Sequence, residues 1–281
     1  MKTRTTMARR TNDLLIFDVD GVLIDTRDSF MYATRECLRW CWEHLLGGIA
    51  DCEGYTLEHF NVSKTHPSFN DDSVVAWVLL HHMEHTGKKR MSEAFPSLEE
   101  WKSILFSYDR QNAAETVAAS REASLSLIEV RNALEEFYYG TKDYLEYKGS
   151  ARYGILTDGL WKTEIPAITR NWKALPLPSA IYTGRSHEEM ALGKRQLGWE
   201  DFPDDRLVTS GDGILKPSPL GLEMLCRAAG AAEPLFFGDT ASDKESWLNF
   251  GRGSFVAIGP ILKGEALHFD TLEEALRRLE I

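Results

Sequence analysis

The sequence predicts an α/β protein, a doubly wound parallel sheet split after its first strand by an all-helical insertion. Two observations carry this. The first is Leu14-Leu15-Ile16-Phe17, an apolar run that ends abruptly in Asp18-Val19-Asp20-Gly21. Four apolar residues without polar alternation suit a strand buried on both faces of a parallel sheet. The second is the change of pattern along the chain. Strand-like runs give way to helical periodicity from about residue 28 and return after about residue 153, where strands alternate with helices as in βαβ units.

Within the insertion, Ser29–Leu46 carries apolar residues at spacings of three and four and is stopped by Gly47-Gly48. Asp71–His85 is a second helix, with Asn70 or Asp71 as its N-cap and Gly87 after its end. Ser97-Leu98-Glu99-Glu100 has the form of a capping box before Trp101–Phe106. Asp109–Tyr138, rich in Ala, Glu and Leu, reads as a long helical segment closed by Gly140. In the second half, strands are expected at Ser179–Tyr182, Arg206–Thr209, Leu235–Phe237 and Ser254–Ile258. Helices are expected at Glu188–Leu197, Pro219–Ala229, from about Asp243, and at Leu272–Leu279. The domain reading is a flexible tail at 1–12, a core at 13–27 and 153–281, and a helical cap at 28–152.

Composition narrows the function classes. The chain has 281 residues, 43% of them hydrophobic, which is ordinary for a globular protein and enough for one core plus an insertion. No uncharged apolar run approaches the roughly 18–20 residues that span a bilayer. A net charge of −11 repels polyanions, so neither nucleic acid nor an anionic membrane is expected as a partner. A small phosphorylated metabolite is still compatible, because a local cation reverses the field inside one cleft. The basic segment Met1–Arg10 has no apolar stretch behind it, so a frayed tail is expected rather than a secretory signal. Cys37, Cys41, Cys52 and Cys226 form no C-x-x-C pair and are too sparse for a disulfide scaffold, which fits a reducing cytoplasm. Cys37 and Cys41, one helical turn apart, read as buried apolar residues.

Open α/β sheets place ligands outside the carboxyl ends of their strands. Asp18 and Asp20 follow the first expected strand, Thr183 follows another and Asp239 a third, while Lys216 lies in a loop before a helix. Asp18, Asp20, Asp239 and Asp243 would repel one another unless a cation sat among them. All-oxygen ligation suits a hard ion, and magnesium is the usual one where phosphate is also bound. One such Asp can act as a covalent nucleophile, and a second can protonate the leaving oxygen and then activate water. Thr183 and Lys216 are placed to hold phosphoryl oxygens.

With these residues in view, Phe17-Asp18-Val19-Asp20-Gly21-Val22-Leu23-Ile24-Asp25 resembles the first motif of the haloacid dehalogenase superfamily. Thr183-Gly184-Arg185 resembles its second motif, Lys216-Pro217 its third, and Phe237-Gly238-Asp239-Thr240-Ala241-Ser242-Asp243 its fourth, all in the family's order. The resemblance implies a Rossmann-like core with the helical cap of subfamily I. It also implies a phosphatase acting on a small phosphomonoester through an aspartyl-phosphate on Asp18, with Asp20 as general acid/base. Magnesium would be held by Asp18, the Asp20 main-chain carbonyl, Asp239 and Asp243. Thr183, Gly184, Arg185 and Lys216 would contact the phosphoryl group or its leaving group. Dehalogenases of the superfamily lack the second acid, so Asp20 speaks against dehalogenation. Two alternatives share the core: a phosphomutase, and a non-catalytic phospholigand-binding protein. A binder, however, has no need of both a nucleophile and an acid.

Other polar groups read more plainly. His81, His82, Glu84 and His85 lack the H-E-x-x-H order and read as a polar helix face at the cap surface, not a zinc site. Asn70, Asp71 and Asp72 cap a helix, and one of them is a candidate to face substrate. Trp40, Trp42, Trp77 and Trp101 read as packing residues.

Overall fold

The computed structural model describes residues 12–110 and 123–281. Residues 1–11 of the expected tail, and 111–122 of the Ala-, Glu- and Leu-rich segment, lie outside the described residues.

Strand β1 (Leu14–Phe17) sits inside a six-stranded parallel sheet with β4 (Ser179–Tyr182), β5 (Leu207–Val208), β6 (Pro234–Gly238), β7 (Ser254–Ile258) and β8 (His268–Phe269). The order is β5-β4-β1-β6-β7-β8. Phe17 pairs with Ile181 on one side and Phe237 on the other. The two-residue period of a strand explains the unbroken apolar run. Leu15 and Phe17 enter one hydrophobic cluster, and Leu14 and Ile16 enter another on the opposite face. Helices α7 (His187–Leu197), α8 (Leu220–Ala229), α9 (Ala241–Phe250) and α10 (Leu272–Arg278) follow the strands. The chain runs outward from β1 to β4 and β5, then returns to β6 on the other side. The switch point therefore lies where β1, β4 and β6 end, which is where a ligand crevice is expected.

The insertion builds a separate helical layer from α1 (Phe30–His44), α2 (Leu57–Ser63), α3 (Asp72–His85), α4 (Met91–Ala94), α5 (Leu98–Phe106) and α6 (Leu127–Lys148). Asp71 caps α3 by accepting the Ser73 N–H at 2.8 Å, and Ser97 forms the expected capping box with Glu100. Every side chain from Ser73 to His81 is buried, so α3 is the central helix of this layer. His81 consequently points inward, which corrects its reading as surface. Cys37 and Cys41 are buried with their sulfurs 3.9 Å apart. Trp42, Trp77 and Trp101 are buried in the same cluster, with Trp40 packed at its edge.

Trp101 is fully buried, and its indole Nε1 donates to Ser63 Oγ at 3.0 Å. Trp101→Ala leaves a large cavity and removes one donor from the Ser63 hydroxyl, which still donates to the His59 carbonyl at 2.9 Å. It is expected to lower unfolding free energy by about 3–5 kcal/mol, read from chemical denaturation.

Two features depart from the sequence reading. Helix α6 does not stop at Gly140. It breaks there, with φ of 77°, and resumes to Lys148. The reason is a close approach from the returning chain: a Cβ at 140 would lie 2.3 Å from the Gly159 nitrogen, and the Thr141 N–H turns to the Thr157 carbonyl at 2.9 Å. The second departure is a small antiparallel ribbon of β2 (Ile24–Asp25) and β3 (Ile165–Pro166), which joins the two crossings between sheet and helical layer. Tyr153, Ile155, Leu160 and Trp161, which precede β3, pack against the helical cluster. Two-residue strands containing a proline give no periodic signal.

Candidate active site

Tight local turns hold the polar residues at the strand ends. After β1, the Val19 carbonyl accepts N–H groups from Val22, Leu23 and Ile24 at 3.3, 2.9 and 2.9 Å. This compact turn needs Gly21, whose φ is 73°. The same glycine lets Asp239 come close, since a Cβ there would lie 2.2 Å from Asp239 Oδ2. Gly21→Ala therefore imposes backbone strain of about 1–2 kcal/mol and displaces the Asp239 carboxylate. A lowered melting temperature is the expected result.

Asp239 directly follows β6, and Asp243 is the N3 residue of the capping box that starts α9. Its Oδ2 accepts from Thr240 N at 3.0 Å and Thr240 Oγ1 at 2.7 Å. Capping and the site role are thus compatible in one side chain, because its other oxygen faces inward. Asp18, Asp239 and Asp243, all buried, bring carboxylate oxygens within 4.8 Å of one another. Lys216 enters this group from its loop, with Nζ 2.7 Å from Asp18 Oδ1 and 2.5 Å from Asp243 Oδ1. Among the described residues Asp239 Oδ1 is buried with no hydrogen-bond partner.

The electrostatics follow from this crowding. Burial pushes the Asp18 carboxyl up to about 7; Lys216 pulls it down, while Asp243 and Asp20 add to the rise. Burial first, then the charges of Asp243 and Asp18, hold Asp239 well above the usual carboxylate range. For Lys216, burial disfavours the ammonium, but Asp18 and Asp243 outweigh it and hold its pKa above the ordinary lysine value. Three buried carboxylates with one ammonium are short of positive charge, and the orphaned oxygen of Asp239 fits a cation's ligand. The donor set is all oxygen, which suits a hard divalent ion.

Asp20 stands at the rim of this cluster and is only partly buried. Its Oδ1 accepts from Arg185 Nε at 2.9 Å and Nη2 at 2.7 Å. Thr183, at the end of β4, is buried, and its hydroxyl accepts the Arg185 N–H at 3.1 Å. Gly184 is exposed beside it, and the helical layer reaches it: a Cβ on Gly184 would lie 3.2 Å from Asn70 Nδ2. Asn70 is held by Lys64, whose Nζ donates to the Asn70 carbonyl at 2.8 Å and to Asp72 Oδ2 at 3.0 Å. The Lys64 carbonyl in turn accepts the Ala241 N–H at 3.1 Å, so the helical layer is bonded to the start of α9.

The structure thus gathers Asp18, Lys216, Asp239 and Asp243 directly and places Asp20, Thr183 and Gly184 at the neighbouring strand ends. Arg185 departs from expectation. Its side chain is fully buried and paired with Asp20 and with Glu164 at 2.9 Å, so its guanidinium faces protein carboxylates, not an open phosphoryl site. Glu164 was not legible in the sequence, because a lone carboxylate beside a two-residue strand has no motif. Among the described residues the group of His, Cys, Asp or Glu side chains with the spacing to hold a metal ion is Asp18, Asp239 and Asp243.

A parallel sheet with acidic residues at its switch point and a helical layer bonded to it defines a capped α/β fold. Residues 13–251 match the family model of haloacid dehalogenase-like hydrolases, and the chain belongs to that family. Its fold is similar to that of phosphatase Tt82 from Thermococcus thioreducens, with 26% identity over 94% of this chain and 99% of that one, and a TM-score of 0.62. A conserved haloacid dehalogenase-like protein of unknown function from Agrobacterium tumefaciens shares the fold at 14% identity, over 96% and 98% of the two chains, with a TM-score of 0.51. No curated protein matches the sequence. No helix among the described residues is long and apolar enough to cross a membrane.

Proposed function

We propose that the protein is a magnesium-dependent phosphatase that hydrolyses a small phosphomonoester through an aspartyl-phosphate on Asp18. The observation that carries this is the buried Asp18–Lys216–Asp243 contact, with Asp239 beside it and a second acid, Asp20, two residues along the chain. The likeness to a phosphatase at 26% identity supports the reading.

In this mechanism Asp18 attacks phosphorus in line with the leaving oxygen, forming the acyl phosphate as the P–O bond to the leaving group breaks. Asp20, in its acid form, gives the departing oxygen a proton. It then takes one from water, which attacks phosphorus and returns Asp18 as carboxylate. Lys216 and the Thr183 hydroxyl hold equatorial phosphoryl oxygens, with the Gly184 amide beside them. The Asp18, Asp239 and Asp243 carboxylates and the Asp20 carbonyl would hold magnesium, which supplies charge neutralisation to the phosphoryl group. Asn70, whose Nδ2 would lie 3.2 Å from a Cβ on Gly184, is the cap residue we place against the substrate. Cytoplasmic action fits the free cysteines.

The test is phosphate release from p-nitrophenyl phosphate and a panel of phosphometabolites, with and without magnesium. Magnesium-dependent release is expected. Conversion of a sugar phosphate to its isomer without net release would replace this reading by a phosphomutase, and tight binding without turnover by a phospholigand-binding protein.

A further inference from the structure

We propose that the buried Arg185–Glu164 pair is a positioning device that ties the orientation of Asp20 to the seating of the helical cap. The inference rests on the phosphatase reading for what Asp20 does, and on geometry for how it is held.

The Arg185 guanidinium is walled in. A Cβ at Gly193 would lie 3.2 Å from Nη1, and the Phe30 ring of α1 lies 5.8 Å from the guanidinium carbon. Both Nε and Nη2 meet the same oxygen of Asp20, Oδ1, which leaves Oδ2 free of the arginine. Nη2 also reaches Glu164 Oε2 at 2.9 Å, and Nη1 reaches the Glu189 carbonyl at 3.3 Å. With these donors engaged, Arg185 acts through Asp20 and not on substrate.

Glu164 carries the connection onward. It precedes β3, on the return crossing, and its Oε1 accepts from Ser29 Oγ at 3.1 Å, just before α1 on the outgoing crossing. The same oxygen accepts from Tyr138 Oη on α6 at 2.9 Å. Tyr138 stacks on Phe30 with ring centroids 4.6 Å apart. One carboxylate therefore joins both chain crossings and cap helix α6 to the arginine that grips Asp20. A buried guanidinium needs its carboxylate partners, so loss of one contact changes the hold on the other. Displacement of the cap would pull Ser29, Phe30 and Tyr138 from this network and loosen Asp20. The acid is thus oriented when the cap is seated over substrate.

The test compares wild type, Glu164→Gln, Tyr138→Phe and Asp20→Asn on aryl and alkyl phosphates of graded leaving-group acidity. A good leaving group departs without protonation, so a misplaced acid shows on poor ones. Glu164→Gln is expected to lose at least about tenfold more kcat on alkyl phosphates than on p-nitrophenyl phosphate, within the roughly 10²–10⁴-fold a general acid contributes. Tyr138→Phe, which removes a single hydroxyl, should shift the same way by less. Uniform losses across the series, where Asp20→Asn is selective, would overturn the proposal while leaving the phosphatase reading intact; inactivity of the wild type would overturn that reading instead. Amide hydrogen exchange provides a readout independent of turnover. The Asp20–Ile24 turn should exchange faster in both network variants, and unchanged exchange would overturn the coupling whatever the activity.

Discussion

Asp18→Asn is expected to abolish phosphate release while leaving the protein folded. The amide cannot form the acyl phosphate, so kcat should fall by roughly 10³–10⁶-fold, the range for loss of a nucleophile. The substitution is nearly isosteric, and its carbonyl oxygen can still accept from Lys216. It also removes a buried carboxylate whose charge helps to hold the Asp239 carboxyl above its usual range. Relief of that repulsion offsets the weaker hold on Lys216, which keeps Asp243 as counter-ion. The metal-free melting temperature is therefore expected to stay at or above that of wild type. Lost activity with an unchanged or raised melting temperature, measured side by side, separates a chemical defect from a folding one. Retained turnover would remove Asp18 from the nucleophile's place.

The second large effect is on metal dependence and its pH profile. Chelation of divalent ions should abolish turnover, and magnesium should restore it. The sign of the pH effect follows from Asp18. In the metal-free protein its carboxyl is pushed up to about 7, so it holds a proton below that pH, whereas a metal ligand must be the carboxylate. Magnesium binding then expels at least one proton. Apparent affinity should rise with pH through about 7, with up to roughly tenfold loss for each pH unit below it. Asp239, also raised, steepens the same trend. Calorimetric titration with magnesium between pH 5.5 and 8, in two buffers of different ionisation enthalpy, reads both affinity and proton release. Affinity that is flat across this range would show that magnesium does not displace the Asp18 proton.

Much of the molecule was readable because its local signals agree with its global fold. The run Leu14–Phe17 is apolar on both faces since the sheet buries both, and the ends of α3 and α5 follow their Asp71 and Ser97 caps. The acidic residues were legible because Asp18 and Asp239 each follow an apolar run and stand in motifs with a recognisable order, with Asp243 four residues after Asp239. What the sequence hid depends on three-dimensional approach. Gly140 looks like a helix stop, yet the helix resumes because the returning chain takes over its hydrogen bonding. Glu164 has no pattern around it, and its importance comes from partners at Ser29, Tyr138 and Arg185, far apart in the chain. Arg185 sits in a recognisable motif, but the motif does not tell whether its guanidinium points at substrate or into the protein. Only the buried pair with Asp20 and Glu164 decides that.

The central claim is that Asp18 becomes phosphorylated during turnover, and mass spectrometry of acid-quenched enzyme tests it most directly. Enzyme mixed with excess substrate and magnesium, then digested, should carry the mass of one phosphoryl group on the peptide containing Asp18. The modification should be labile to hydroxylamine and absent from Asp18→Asn. Active enzyme that shows no such adduct at any quench time, while water oxygen enters phosphate in a single inverting step, would contradict the account.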